Sequence, residues 1–436
     1  MHGPESIKDN TTKTAGSTDF LVPNVIGVTN TFVHHLQHHD GVLRVPRAGA
    51  VVWDDEELHV AAHRADPEGY ALSALAPGAL AGQRARILLR LLTASWAGIE
   101  PGTRDTLNRV TRVLALGLPP ADVLTVLLAA RRRRANHKHV TRTTLAVLFE
   151  HPHAAELIRA RRGMAVDCFE HALGKATARG RYAAGGVAAL YEPAGTAVLA
   201  PPPATLDLDL AGERPGTVTA TNRGDLAATL VHALRGGPSA ELEAAADGYA
   251  RALTDGMPRY GGRIALVVDA SASMRGYGNR EWAVMSQVAA LRMVLDRLCE
   301  RLVVVQAGGL PDGRPGGHTD LAGAVLDAVA HEPDVVAVAS DGYENVYPGD
   351  LARVAAALPG AGVRAPVVFC QAAFGRADDL SLRRAADGLP LRTFWHSADL
   401  AALVLWMLSH VDGAEAGRWI GRELRRRLDV LEVQLR

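Results

Sequence analysis

The spacing of apolar residues changes twice along this chain. Between residues 24 and 60 they come in short stretches, 42–45 and 50–53, with turn residues between them, which predicts short β-strands. From about 71 to 178 they recur at helical spacing. Leu88, Leu89, Leu91 and Leu92 share one face, and Val110, Val113 and Leu114 a second. Leu124, Val126, Leu127 and Leu128 form a third, and Leu145, Val147 and Leu148 a fourth. Pro119-Pro120 and His151-Pro152 punctuate them. Serial helices of this length predict a helical-repeat, HEAT-like module, although no strict period runs through it. Residues 192–225, with Pro201-Pro202-Pro203, Gly212, Pro215 and alternating Leu and Asp at 206–210, read as a linker. A helix over 226–253 follows.

Residues 262–412 then alternate apolar runs with helical segments. The predicted strands are 264–268, 302–305, 335–339, 366–370 and 391–395. The predicted helices are 281–298, 321–330, 351–357 and 398–408. Near-continuous apolar strands separated by helices imply a doubly wound parallel sheet covered on both faces. The expected class is therefore α plus α/β. Its units are a tail over 1–20, a helical module over 21–190, a linker and connecting helix over 191–260, an α/β domain over 261–412, and an amphipathic C-terminal helix over 413–436. Trp419, Leu424, Leu428 and Leu431 lie on one side of that last helix.

Composition narrows the classes. The 436 residues are 48% hydrophobic with no net charge, enough for two or three cores. Cys168, Cys299 and Cys370 are too few and too scattered for a disulfide framework or a thiolate metal site, and read as buried thiols. The polar N-terminus lacks an apolar signal core and no run is long enough to span a membrane, so the expectation is a cytoplasmic protein with no membrane partner.

Three short segments carry candidate chemistry. Asp269-Ala-Ser271-Ala-Ser273 follows the first apolar strand, Thr319 stands just before a helix, and Asp341 follows the third strand. In an open α/β sheet, residues at the carboxyl ends of strands meet at the ligand-binding edge. Hydroxyl and carboxylate oxygens without a soft ligand suit a hard cation such as Mg²⁺. Capping of the following helix is the plainer role for one such run. Together the three segments resemble the metal-ion-dependent adhesion site (MIDAS) of a von Willebrand factor A domain. That resemblance implies that Ser271, Ser273 and Thr319 bind the cation directly, with Asp269 and Asp341 supporting, and that a protein partner supplies a further carboxylate. It also implies a non-enzymatic site. The Gly- and Pro-rich stretch 306–318 predicts that the family's antiparallel edge strand is shortened or absent.

The other charged feature lies in the helical half. No acid occurs from Val123 to Phe149, a stretch holding Arg131, Arg132, Arg133, Arg134, His137, Lys138, His139 and Arg142. Residues 131–182 carry 12 Lys and Arg against 4 Asp and Glu, a local charge of +8. Such clustering in a neutral chain is an electrostatic footprint for nucleic acid, while a solvated helix end is the alternative. A basic helical module followed by an A domain with its metal motif resembles the Ro/TROVE RNA-binding proteins. The resemblance implies binding of structured noncoding RNA, Y-like or misfolded, in RNA quality control or processing as a ribonucleoprotein. The rival expectation is a protein-interaction adaptor. Its metal site would grip an acidic residue of a partner such as a MoxR-type ATPase, without RNA.

Two lesser features remain. His34/His38 and His35/His39 stand at i, i+4 spacing, which on a helix can bind zinc, though a polar surface role is the simpler expectation. Cys168 and His171 lie one turn apart but lack a third orienting group, so catalysis is not expected there.

Overall fold

A computed structural model describes residues 30–46, 50–133, 162–183, 206–212, 225–237, 239–310, 314–376, 378, 386 and 388–435. The first part is helical apart from a short antiparallel pair, β1 (Leu43–Arg44) with β2 (Val52–Trp53). Its helices are α1 (Asn30–His38), α2 (Glu56–Ala65), α3 (Pro67–Ser73), α4 (Ala81–Thr93), α5 (Pro101–Gly117), α6 (Pro120–Arg132), α7 (Arg162–Leu173) and α8 (Lys175–Ala183). Proline at the first turn starts α3, α5 and α6, where its missing N–H is not needed. The predicted apolar face at Leu145, Val147 and Leu148 lies outside the described residues.

The second part is a five-stranded sheet of β3 (Tyr260–Ala270), β4 (Cys299–Gly308), β5 (Val335–Ser340), β6 (Val367–Ala372) and β7 (Leu391–Phe394). Its order is β4-β3-β5-β6-β7 and every pair is parallel. The edge beyond β4 carries no antiparallel strand among the described residues, as the short 306–318 stretch predicts. Side chains alternate across β3. Ile264, Leu266 and Val268 enter one core with α11 (Ala283–Leu298) and α14 (Leu400–Ser409). Ala265 and Val267 enter the other with α12 (Leu321–Val329) and α13 (Asp350–Ala357). Burial on both faces explains the near-continuous apolar strands.

The segment read as one helix over 226–253 is two, α9 (Leu226–Gly236) and α10 (Ala240–Thr254), both packed on α11. Gly237 ends α9 at φ +86°, and Ser239 caps α10 by accepting from Leu242 N–H. The segment read as linker also has a fixed part. Leu206 and Leu208 are buried, and Asp209 holds Arg84 at 2.6 Å. The last helix, α15 (Ala414–Gln434), packs at once on α3, α5 and β3, and Trp419, Leu424, Leu428 and Leu431 are all buried. Helical half and sheet therefore share one continuous apolar core.

Candidate functional site

Within the sheet, β3 is flanked by β4 on one side and β5 on the other, so the chain switches direction between β3 and β5. Open α/β sheets bind ligands at the carboxyl ends beside such a switch. Asp269 is the penultimate residue of β3, and Asp341 directly follows β5. The two strands thus deliver both acids to one edge.

The loop after β3 folds back over Asp269. Asp269 Oδ1 accepts from the Ser271 N–H at 2.9 Å, and its Oδ2 accepts from the Ser340 hydroxyl at 2.6 Å. This leaves the Ser271 hydroxyl 3.1 Å from that of Ser273. The segment bearing Thr319 is brought in from the β4 side. Gly316 N–H donates to Ala270 O at 2.9 Å, and Gly308 at φ +74° allows the close approach. A Cβ at Gly308 would stand 2.7 Å from His318 O and 3.3 Å from Ser271 Cα, so the turn requires glycine. Thr319 N–H then donates to the Asn345 side chain at 3.0 Å, tying this segment to the loop after β5. Asp341 Oδ1 accepts from Tyr343 N–H, and Gln371 on β6 donates to its carbonyl.

Asp269, Ser271 and Thr319 are fully buried, Asp341 nearly so, and Ser273 is partly exposed. Burial pushes the Asp269 carboxyl up to about 6, with Asp341 adding to the rise, while the Ser340 and Ser271 hydrogen bonds oppose it. A buried carboxylate beside a second acid is a place where a cation is favourable. The Thr319 hydroxyl is buried and has no hydrogen-bond partner. A buried hydroxyl left unpaired is uncommon and calls for a ligand. The Ser271–Ser273 separation also fits, since adjacent ligands around an octahedral Mg²⁺ stand about 2.9 Å apart. On these observations the residues present fit a small hard cation.

The basic segment is less open than its composition implies. Arg131 pairs with Asp167 on α7. Arg133 makes a two-pronged pair with Glu56 at 2.5 and 2.8 Å and lies over the Trp53 ring at 5.2 Å. Arg132 donates to Pro46 O. Arg134, His137, Lys138, His139 and Arg142 lie outside the described residues. The three thiols are buried, and burial raises Cys168 to about 11 and Cys299 and Cys370 to about 12. Thiols held so far above neutrality are poor nucleophiles.

The histidine pairs stack at the C-terminal end of α1, His34 on His38 at 4.2 Å and His35 on His39, just beyond the helix, at 4.5 Å. His35 also reaches Asp55, which sequence spacing did not single out, at 3.0 Å. No helix among the described residues is long and apolar enough to cross a membrane.

No protein-family model matches this chain, and no curated protein matches it. Among solved structures it is similar to the Ro (RSR) protein of Deinococcus radiodurans, with a TM-score of 0.39 and 14% identity over 85% of this chain and 97% of that one.

Proposed function

We propose that this chain is a non-enzymatic binding protein whose sheet edge holds Mg²⁺ and, through it, a carboxylate of a protein partner. The observation that supports this reading is the buried Thr319 hydroxyl without a hydrogen-bond partner, on a segment that Gly316 N–H ties to the end of β3 beside Asp269 and the Ser271–Ser273 loop. Mg²⁺ keeps some water and takes few protein ligands, so a coordination position remains for a partner. The ion supplies a fixed positive charge; the protein residues place it and hold its waters. Ser271, Ser273 and Thr319 are the direct ligands in this reading, and Asp269 and Asp341 orient them and balance the charge. Glu344, the other acid on the loop after β5, is committed to the N–H groups of Gly349 and Leu351. It is therefore held as a loop brace rather than positioned as a general base.

Calorimetric titration of the whole chain with Mg²⁺ tests this. One site is expected, and Asp269→Ala should abolish it. Equal heats from wild type and variant, or a hydrolytic activity lost in Asp341→Ala, would overturn the reading.

A second binding function rests on the local charge of +8 over residues 131–182. In this reading the helical half, a HEAT-like array, binds structured noncoding RNA by its phosphates, in RNA quality control or processing. Arg132, Arg134, Lys138 and Arg142 are the proposed contacts, with His137 and His139 beside them. Arg131 and Arg133 spend at least part of their charge on Asp167 and Glu56. Without RNA, the same chain is an adaptor for an acidic partner at the metal edge.

A further inference from the structure

The helical half holds a second cluster of metal-ligating groups, far in sequence from the sheet-edge motif. His35 on α1, Asp55 at the start of α2 and His59 one turn into α2 bring three ligand atoms within 4.8 Å of one another. His35 Nε2 lies 3.0 Å from Asp55 Oδ2, and His59 Nε2 lies 3.6 Å from the same oxygen. Ligands around a tetrahedral Zn²⁺, with bonds of about 2.0–2.1 Å, stand about 3.3 Å apart. The two measured separations bracket that spacing. Gln83 Oε1, 2.9 Å from His59 Nε2, is a further oxygen donor at the same spot.

We infer that His35 Nε2, Asp55 Oδ2 and His59 Nε2 form a binding site for a divalent transition ion of the zinc class.

The surroundings are built as an outer shell of such a site is built. His59 is fully buried, and its other nitrogen, Nδ1, is 2.9 Å from the Tyr70 hydroxyl. Tyr70 can donate to that nitrogen or accept from it. When the ion takes Nε2, the ring proton therefore moves to Nδ1 and still has a partner. The His59 ring is boxed by Phe32 at 5.4 Å, Trp53 at 5.3 Å and Tyr70 at 5.8 Å. Its orientation is thus fixed before any ion arrives. The other oxygen of Asp55, Oδ1, accepts from Trp53 Nε1 at 2.7 Å and lies 3.2 Å from Arg86 Nε. Those contacts turn Oδ2 toward the histidines. Gln83 Nε2 donates to Asp55 Oδ2 and to His39 O, fixing the amide with its oxygen toward His59. Asp54 and Asp55 outweigh the charge of Arg86, so the spot carries a net negative charge that attracts a cation. His35 is partly exposed, which gives the ion a way in. The soft-to-borderline imidazole set also separates this site from the all-oxygen sheet edge.

Co²⁺ is the probe, since a tetrahedral site with imidazole ligands gives it visible bands that an octahedral oxygen site does not. The full chain is stripped with a chelator, saturated with Mg²⁺ to occupy the sheet edge, and titrated with Co²⁺. One equivalent of tetrahedral Co²⁺ is expected, displaced by Zn²⁺. The bands should persist in Asp269→Ala and vanish in His35→Gln, with Zn²⁺ affinity lowered by more than about tenfold. His35 is the least buried of the three ligands, so this variant is the one least apt to disturb folding, which far-ultraviolet dichroism checks. X-ray absorption on the Zn²⁺-loaded wild type gives a measure free of any substitution, and should show two imidazole nitrogens in the inner shell. No visible bands at saturating Co²⁺, bands retained in His35→Gln, or an inner shell without imidazole would each overturn the assignment.

Discussion

At the residue scale, the sharpest test is a hydroxyl. Thr319 Oγ1 is buried without a hydrogen-bond partner, so in the metal-free protein it is a liability of about 1–3 kcal/mol. Thr319→Val keeps the shape and removes the polar atom. Thermal unfolding should show the metal-free variant as stable as wild type or more so, by about 1 kcal/mol. The stabilisation that Mg²⁺ gives wild type by mass action should be gone. A variant that is destabilised, yet still stabilised by Mg²⁺, would show that the hydroxyl serves the fold alone. A second residue-scale prediction concerns acid. His63 is buried, its Nε2 is unpartnered and Arg90 lies nearby; burial, then Arg90, lowers it to about 4. Burial likewise lowers His410, edge-on to Trp406, to about 4. Both values are depressed from 6.5, so the unfolded chain binds more protons in between. Their contribution is fully present above about pH 6.5 and drains as the pH falls toward 4, by up to about 1.4 kcal/mol per pH unit for each group. Unfolding midpoints measured across that window should fall less steeply for His63→Phe than for wild type.

At the element scale, α15 does more than the amphipathic pattern of 413–436 implies. Trp419 is fully buried and donates its Nε1–H to Pro258 O at 2.7 Å. Arg427 is buried and donates to Leu75 O at 2.9 Å and Leu208 O at 3.0 Å. Arg109 on α5 reaches Asp429 and Glu432 on the same helix. The helix is a wedge between helical half and sheet. Trp419→Ala should therefore lower the stability of both halves in one transition, by about 3–5 kcal/mol. Two separate transitions in calorimetry, with only one shifted, would contradict the shared core. Apolar period made much of this architecture legible. The strands at 264–268 and 335–339 lie within β3 and β5, and the helix at 281–298 nearly coincides with α11. What stayed illegible depends on partners distant in sequence. Alternating Leu and Asp at 206–210 looks like a linker until Leu208 meets Arg427 and Asp209 meets Arg84, 125 residues away. The histidine spacing pointed to pairs one helical turn apart, whereas His35 finds Asp55, 20 residues on, across a hairpin. The strand-end positions of Asp269 and Asp341 were readable because a sheet's topology fixes where strand ends meet; a cluster built from packed helices has no such rule.

At the scale of the whole molecule, the two proposed binding surfaces use different physics, and that separates them experimentally. The proposed metal edge would be a short-range, buried oxygen site, screened little by salt. A phosphate-binding surface is the opposite. Its affinity falls linearly on a log–log plot against salt, by about −0.9 per neutralised phosphate on B-form DNA and about −0.7 on single strands. Arg131 and Arg133 are poor choices for the test, because they already pair with Asp167 and Glu56 and their loss would mix that change with any loss of RNA contact. Arg132, Lys138 and Arg142 are the better set. Their joint replacement by alanine should weaken binding of a structured RNA and flatten the salt slope, while the Mg²⁺ titration is unchanged. Asp269→Ala should do the reverse, abolishing the Mg²⁺ heat and leaving the RNA slope intact. If the triple variant binds RNA as tightly as wild type at every salt concentration, the basic segment is a solvated helix end. The adaptor reading, with the metal edge as the working surface, then stands alone.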